Sequence, residues 1–140
     1  MRPMSDSHLF LDSNVCLYLL GEDSPKKFTA EKLLALPKVV ISTQVIGENI
    51  NVAIKKFKFS EEKILNHINF MLRSCDVVDI SVGLQKKAIE THFRYHFSFY
   101  DSLIIASALS ANCTTLYTED MQHGLVVEDK LTIINPFLIA

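Results

Sequence analysis

The chain of 140 residues is long enough for one domain with a continuous core, and residues 1–140 are expected to form a single such domain. Its 14 basic and 16 acidic side chains give a formal net charge of −2, so the sum alone argues against a polyanionic partner. Although 49% of the residues are hydrophobic, no apolar run has the length of a membrane span and "MRPMSDSH" lacks the apolar stretch of a signal peptide; a cytoplasmic protein away from membranes is expected.

In chain order, "HLFLD" (8–12) predicts a first strand and "NVCLYLL" a short helix directly after it. Residues 24–36 predict a helix with Ser24 as its cap and Pro25 in its first turn. "KVVIS" (38–42) predicts the second strand and "TQVIGENINVAIKKF" (43–57) the helix after it. Ser60 caps a helix over 61–75, and "DVVDI" (76–80) predicts the third strand. Ser81 opens a helix running to about His96, and "SFYDSLIIASAL" (98–109) forms the next. "CTTLYT" (113–118) and "LTIIN" (131–135) complete the strands. Strands alternating with helices predict an α/β fold of three layers, with a central, mainly parallel sheet of four to five strands. Such sheets bind ligands beyond the carboxyl ends of their strands.

Four acids fall at that edge. Asp12 ends the first strand, and Asp120 lies just past the fourth in "LYTEDMQHG". Glu48 sits early in the helix after strand two, sharing a stripe with Val45 and Val52. Asp101 sits in the first turn of a helix whose stripe otherwise reads Ile104, Ile105, Ala108. Each has a plainer reading. Asp12 alone is a turn residue, Glu48 alone a solvated one, and Ser98 with Asp101 alone a capping box. Together they suggest a crowded acidic pocket, which needs cations; all-oxygen ligands suit Mg²⁺ or Mn²⁺, one ion or two. Such ions commonly serve phosphodiester hydrolysis. Four acids so gathered would leave 12 against 14 bases elsewhere, a mildly basic remainder. Lys26–Lys27, Lys55, Lys56, Lys58 and Lys86–Lys87 suit a phosphate backbone, and suit solvated helix faces equally well.

"FLDSNVCLYLL", "VVISTQVIGENINVA", "FSFYDSLIIASAL" and "LYTEDMQHG", in this order, resemble the PIN-domain ribonucleases, nearest to the VapC-type toxins of toxin–antitoxin pairs. The resemblance spans about Leu9 to Phe137. It implies a PIN-like fold and a metal-dependent endoribonuclease cutting single-stranded RNA to leave a 5′-phosphate. It further implies a homodimer and a cognate antitoxin whose tail blocks the cleft. Asp12, Glu48, Asp101 and Asp120 would be the catalytic metal ligands, with Glu119 a candidate to assist. Asn14 and Thr118 would support them by hydrogen bonding, with Ser42 a further candidate. Two other readings stay open: a non-catalytic PIN module that binds RNA or protein, and a phosphate-accepting receiver. The latter would want adjacent acids after strand one, where Ser13 and Asn14 stand instead.

The remaining chemistry-bearing residues have plainer expectations. Cys16, Cys75 and Cys113 form no CxxC pair and read as buried free thiols. His92 and His96 read as a solvated pair near a helix end, with no HExxH glutamate between them. His123 is a minor candidate for touching substrate. Phe97, Phe99 and Tyr100 read as core or staple residues before base-stacking ones.

Overall fold

The computed structural model describes residues 7–138. Most of "MRPMSDSH" therefore lies outside the described residues. The strands are β1 (His8–Leu11), β2 (Val39–Ser42), β3 (Asp76–Val78), β4 (Cys113–Tyr117), β5 (Val126–Val127) and β6 (Leu131–Ile134). The helices are α1 (Ser13–Leu17, continued by a 3-10 turn Tyr18–Leu20), α2 (Pro25–Leu34), α3 (Thr43–Lys55), α4 (Glu61–Ser74), α5 (Val82–Tyr95) and α6 (Phe99–Ser110).

Serine sets where most helices begin. Ser24, Ser42, Ser60, Ser81 and Ser98 each accept a hydrogen bond from the backbone N–H three residues on, so each cap satisfies one orphan donor of a first turn. Helix α6 is buried on every side from Ser102 to Ala108, as an apolar helix without a polar face must be. It packs on β2 and β4, and α5 covers it in turn.

The sheet order is β3-β2-β1-β4-β6-β5. All pairings are parallel except β5 with β6. All four residues of β2 are buried, so both faces of the sheet centre are covered, which makes the fold three-layered. From β1 the chain first moves outward to β2 and β3, then returns to lay β4 and β6 on the other side. Between β1 and β4 lies the switch point at which a parallel α/β sheet opens a crevice.

The sheet has six strands, one more than the upper expectation. The addition is β5, in the stretch "GLVVEDK" that carries no strand signal beyond two valines. Tertiary pairing makes it: Val127 faces Leu131, and Lys130 N–H donates to Val127 O at 3.1 Å to close a tight turn. Glu128 and Asp129 at the turn both have positive φ, 54° and 53°, the geometry of a primed hairpin turn normally signalled by Asn-Gly. Strand β3 is shorter than the expected 76–80 because Ile80 N–H turns aside to the Thr43 hydroxyl at 3.1 Å.

Among the described residues no helix is long and apolar enough to cross a membrane. Cys16 and Cys113 are buried and Cys75 half-buried, all as free thiols. Burial pushes the Cys75 and Cys113 thiols up to about 12, which keeps them protonated near neutral pH. A polar pair also escaped the sequence pattern: His67 on α4 meets Asn49 on α3 at 2.9 Å, both buried. The Asn49 amide nitrogen is committed to Val45 O, so its oxygen accepts and His67 Nε2 carries the proton. Burial lowers the His67 pKa and keeps the ring neutral.

Leu116, fully buried in β4, packs beside the switch point. Leu116→Ala should lose about 2–5 kcal/mol of unfolding free energy in urea denaturation. A loss near zero would show that this strand is not part of the cooperative core.

Candidate active site

At the switch point, Asp12 leaves β1 and Thr118 leaves β4. Asp12 N–H donates to Tyr117 O at 3.0 Å and Thr118 N–H to Ile134 O at 3.0 Å, so the backbone pairing holds both in register past the strand ends. Asp12 is 6% exposed, the most buried of the four acids. Its Oδ1 accepts from Ser13 N–H at 2.7 Å and its Oδ2 from the Thr118 hydroxyl at 2.9 Å. The Thr118 oxygen itself accepts from Asn14 Nδ2 at 3.2 Å and from Asp120 N–H at 3.3 Å. With both acceptor directions used, its single proton has to point at Asp12.

Asn14 ties the loop after β4 to α1. Its Nδ2 also donates to Asp120 Oδ2 at 3.0 Å, and its Oδ1 accepts from Glu119 N–H at 3.1 Å. Glu48, on the second turn of α3, accepts a hydrogen bond from the Ser13 hydroxyl. Sequence reasoning passed over Ser13, although its place directly after the strand-ending Asp12 was the available signal. Ser13 is nearly buried and engages two acids at once, Asp12 through its N–H and Glu48 through its hydroxyl. Ser42 lies outside this array; it caps α3, the helix that carries Glu48.

Asp12, Glu48, Asp101 and Asp120 line one cleft of about 320 Å³ together with Asn14, Gln44, Asn51 and Tyr100. No basic side chain lines it. Burial raises the Asp12 carboxyl to about 6, against hydrogen bonds from Thr118 and Ser13 that lower it; the charges of Glu48 and Asp101 push it up further. Burial likewise raises Asp101, opposed by Ser98 and aided by Asp120. The cap of α6 is Ser98, which accepts from Asp101 N–H at 3.1 Å, while the Asp101 carboxyl also lines the cleft.

Glu119 does not line this cleft. It accepts from the Tyr18 hydroxyl at 2.7 Å and pairs with Lys26. Partial burial pushes its pKa up, but the Lys26 and Tyr18 hydrogen bonds and the Lys26 charge outweigh it, and the net shift is downward. His123 is also absent from the lining, its Nδ1 accepting from Asn135 N–H at 2.9 Å. His92 and His96 serve the end of α5. His92 is half-buried and donates to Phe97 O, and His96 closes the helix in a left-handed conformation. Phe97 and Phe99 are half-buried, but Tyr100 is 64% exposed at the cleft, contrary to its core reading. The N-terminus of α6 turns it outward, with its carbonyl held by Gln44 Nε2 at 3.3 Å.

The model for the PIN domain matches residues 9–126. The chain belongs to the PIN domain family. No curated protein matches it. Among solved structures this PIN domain is similar in fold to VapC20 of Mycobacterium tuberculosis, described as a sarcin–ricin loop cleaving toxin, at 20% identity and TM-score 0.65, covering 80% of this chain and 89% of the other. A toxin–antitoxin complex from Klebsiella pneumoniae matches at 20% identity and TM-score 0.69, over 95% of this chain and all of that one. VapBC2 from Rickettsia felis, solved with a promoter DNA fragment, matches at 22% identity and TM-score 0.60, over 80% and 86%.

The donor set of this PIN domain suits a hard divalent cation. Four carboxylates and no thiolate or imidazole face the cleft, and their mutual repulsion is what a cation would relieve. Among the described residues no three His, Cys, Asp or Glu side chains already stand as a ligand group. Glu48 and Asp120 are each held through one carboxyl oxygen, by Ser13 and Asn14, which leaves the other oxygen of each for a cation.

Because its folded pKa is raised, Asp12 favours the fold below the ordinary carboxylate range and loses that contribution as pH rises through about 6. In metal-free protein, a carbon-detected carboxyl titration should place the Asp12 midpoint near 6, and saturating Mg²⁺ should move it down. A midpoint in the ordinary range without metal would contradict this description of the cleft.

Proposed function

We propose that this PIN domain is a Mg²⁺- or Mn²⁺-dependent endoribonuclease that cuts single-stranded RNA, acting as the toxin of a VapBC-type pair with a cognate antitoxin and as a homodimer. The observation that carries the reading is the meeting of Asp12, Glu48, Asp101 and Asp120 in one cleft at the sheet's switch point. The toxin assignment is supported by the neighbours, whose descriptions name a toxin, a toxin–antitoxin complex and a VapBC protein.

Asp12, Glu48, Asp101 and Asp120 are the residues that would hold the ion or ions. When bound, such an ion supplies Lewis acidity toward water and phosphoryl oxygen. The protein's own part is to aim its acids. Thr118 and the Ser13 N–H fix both oxygens of Asp12, the Ser13 hydroxyl orients Glu48, and Asn14 orients Asp120. Tyr100 offers an exposed ring at the cleft for stacking on a base. Hydrolysis with the 3′ oxygen leaving gives a 5′-phosphate and a 3′-hydroxyl.

Purified protein should cleave single-stranded RNA with Mg²⁺ or Mn²⁺ and stop in excess EDTA. Full activity in verified metal-free buffer would sink the mechanism. Asp12→Asn should bring cleavage to background with the fold retained by circular dichroism. Thr118→Val, which keeps the shape but loses the hydroxyl, should weaken metal affinity or activity roughly 10–100-fold. Wild-type metal affinity and turnover in Thr118→Val would remove the threonine from the site.

A further inference from the structure

No Lys, Arg or His side chain lines the acidic cleft, so its walls do not draw in a polyanion. Directly beside it lies a second pocket of about 380 Å³, and the two share Asn14, Leu17 and Val52 as a common wall. The far side of this second pocket is formed by Tyr18, Phe57 and Lys56; two acids also line it, Glu119, which Lys26 neutralises, and Glu22, which is exposed on its rim. Lys56 is exposed, has no ion pair among the described residues, and holds its Nζ 5.8 Å from the centre of the Phe57 ring. The Tyr18 ring is itself overlain by Lys26 at 5.1 Å. Aliphatic and aromatic walls with a cation at the rim match a nucleobase and its phosphate.

The other cavities lack this combination. A larger one of about 550 Å³ between α5, α6 and the β5–β6 turn shares no residue with the acidic cleft. Both its acids are already paired, Glu90 with Lys87 and Glu128 with Arg94 from outside the lining, and it has no aromatic wall beside its remaining lysine, Lys130. The groove between α3 and α4, walled by Ile50, Ile54, Ile64 and Leu65, has no basic side chain.

We propose that the pocket between α1 and the end of α3 is a subsite for the nucleotide flanking the cleaved phosphodiester. Its base lies against Phe57, Leu17 and Val52, and its phosphate is neutralised by Lys56. The strand then passes over the shared Asn14–Val52 wall into the acidic cleft and leaves past Tyr100. This rests on the endoribonuclease reading and adds to it where the RNA is gripped.

Two variants test it. Lys56→Ala removes the exposed cation. Gly21→Phe fills the pocket from its rim, where an added Cβ meets only Tyr18 O at 3.8 Å and the backbone φ is −86°. Each should raise KM for single-stranded RNA about fivefold or more, with kcat little changed. In the cleavage-dead Asp12→Asn background, Lys56→Ala should weaken fluorescence-anisotropy binding of the same RNA. It should also reduce the slope of log Kd against log salt by about 0.7, which a purely structural lysine would not do. Lys32→Ala, on exposed α2, serves as the control with unchanged KM. If the wild type cleaves and Lys56→Ala leaves KM, Kd and salt slope intact, the subsite is overturned. A wild type that fails to cleave in either metal, but whose RNA binding falls with Lys56→Ala, sinks the nuclease reading and the flanking-nucleotide role with it, and leaves the pocket as an RNA-binding site only.

Discussion

Asp12 is a carboxylate placed where water scarcely reaches, and the arrangement around it follows from having to hold it there. Left unsupported, a buried carboxylate takes up a proton; hydrogen bonds from Thr118 and the Ser13 N–H oppose that, and burial still wins, with the pKa near 6. Thr118 has its proton aimed at Asp12 only because Asn14 and the Asp120 N–H occupy its other directions. Asn14 in turn binds Asp120 and the backbone of Glu119. The same few hydrogen bonds thus join the ends of β1 and β4, aim two acids, and fix the loop between β4 and β5. Protonation of Asp12 relieves part of the repulsion among four gathered carboxylates, and a divalent ion would relieve more of it.

The fold serves this placement by topology. Because the chain builds the sheet outward from β1 in one direction and then returns to the other side, β1 and β4 are neighbours although roughly a hundred residues part Asp12 from Thr118. Glu48 and Asp101 arrive from helices whose starts face the same edge, each begun by a serine cap, Ser42 and Ser98. A cap that fixes the first turn also fixes the direction of the acid that follows it. Ser98 and Asp101 illustrate why the cap and ligand readings need not compete: Ser98 does the capping, and the Asp101 side chain is left for the cleft.

The charges are divided between the cleft and the surface beside it. A pocket that collects four carboxylates repels polyanions, and no basic side chain lines its walls. The lysines stand next door, Lys56 at the end of α3 and Lys26 over Tyr18, where aromatic rings accompany them. Lys26 is already matched by Glu119, which turns that acid away from the cleft despite its position beside Asp120.

Much of this was legible in the chain. Apolar periodicity, serine caps and strand-ending acids marked the alternation of strands and helices, because those signals are local: each depends on residues within a turn or a strand of one another. The four acids could be placed at one sheet edge from the sequence because parallel topology sends every strand end and helix start there. What local signals could not carry was decided by tertiary contact. Strand β5 exists because Val126 and Val127 find the edge of β6, closed by a Glu128–Asp129 turn that no turn composition announces. Ser13 meets Glu48, His67 meets Asn49, Tyr100 faces outward and Glu119 turns to Lys26, each through a partner distant in sequence or a neighbour's geometry. The amino-acid order by itself determined which residues were acidic, apolar or capping, and along which face. Only the packed sheet decided which of them touch, since that depends on strand order and side-chain direction in three dimensions.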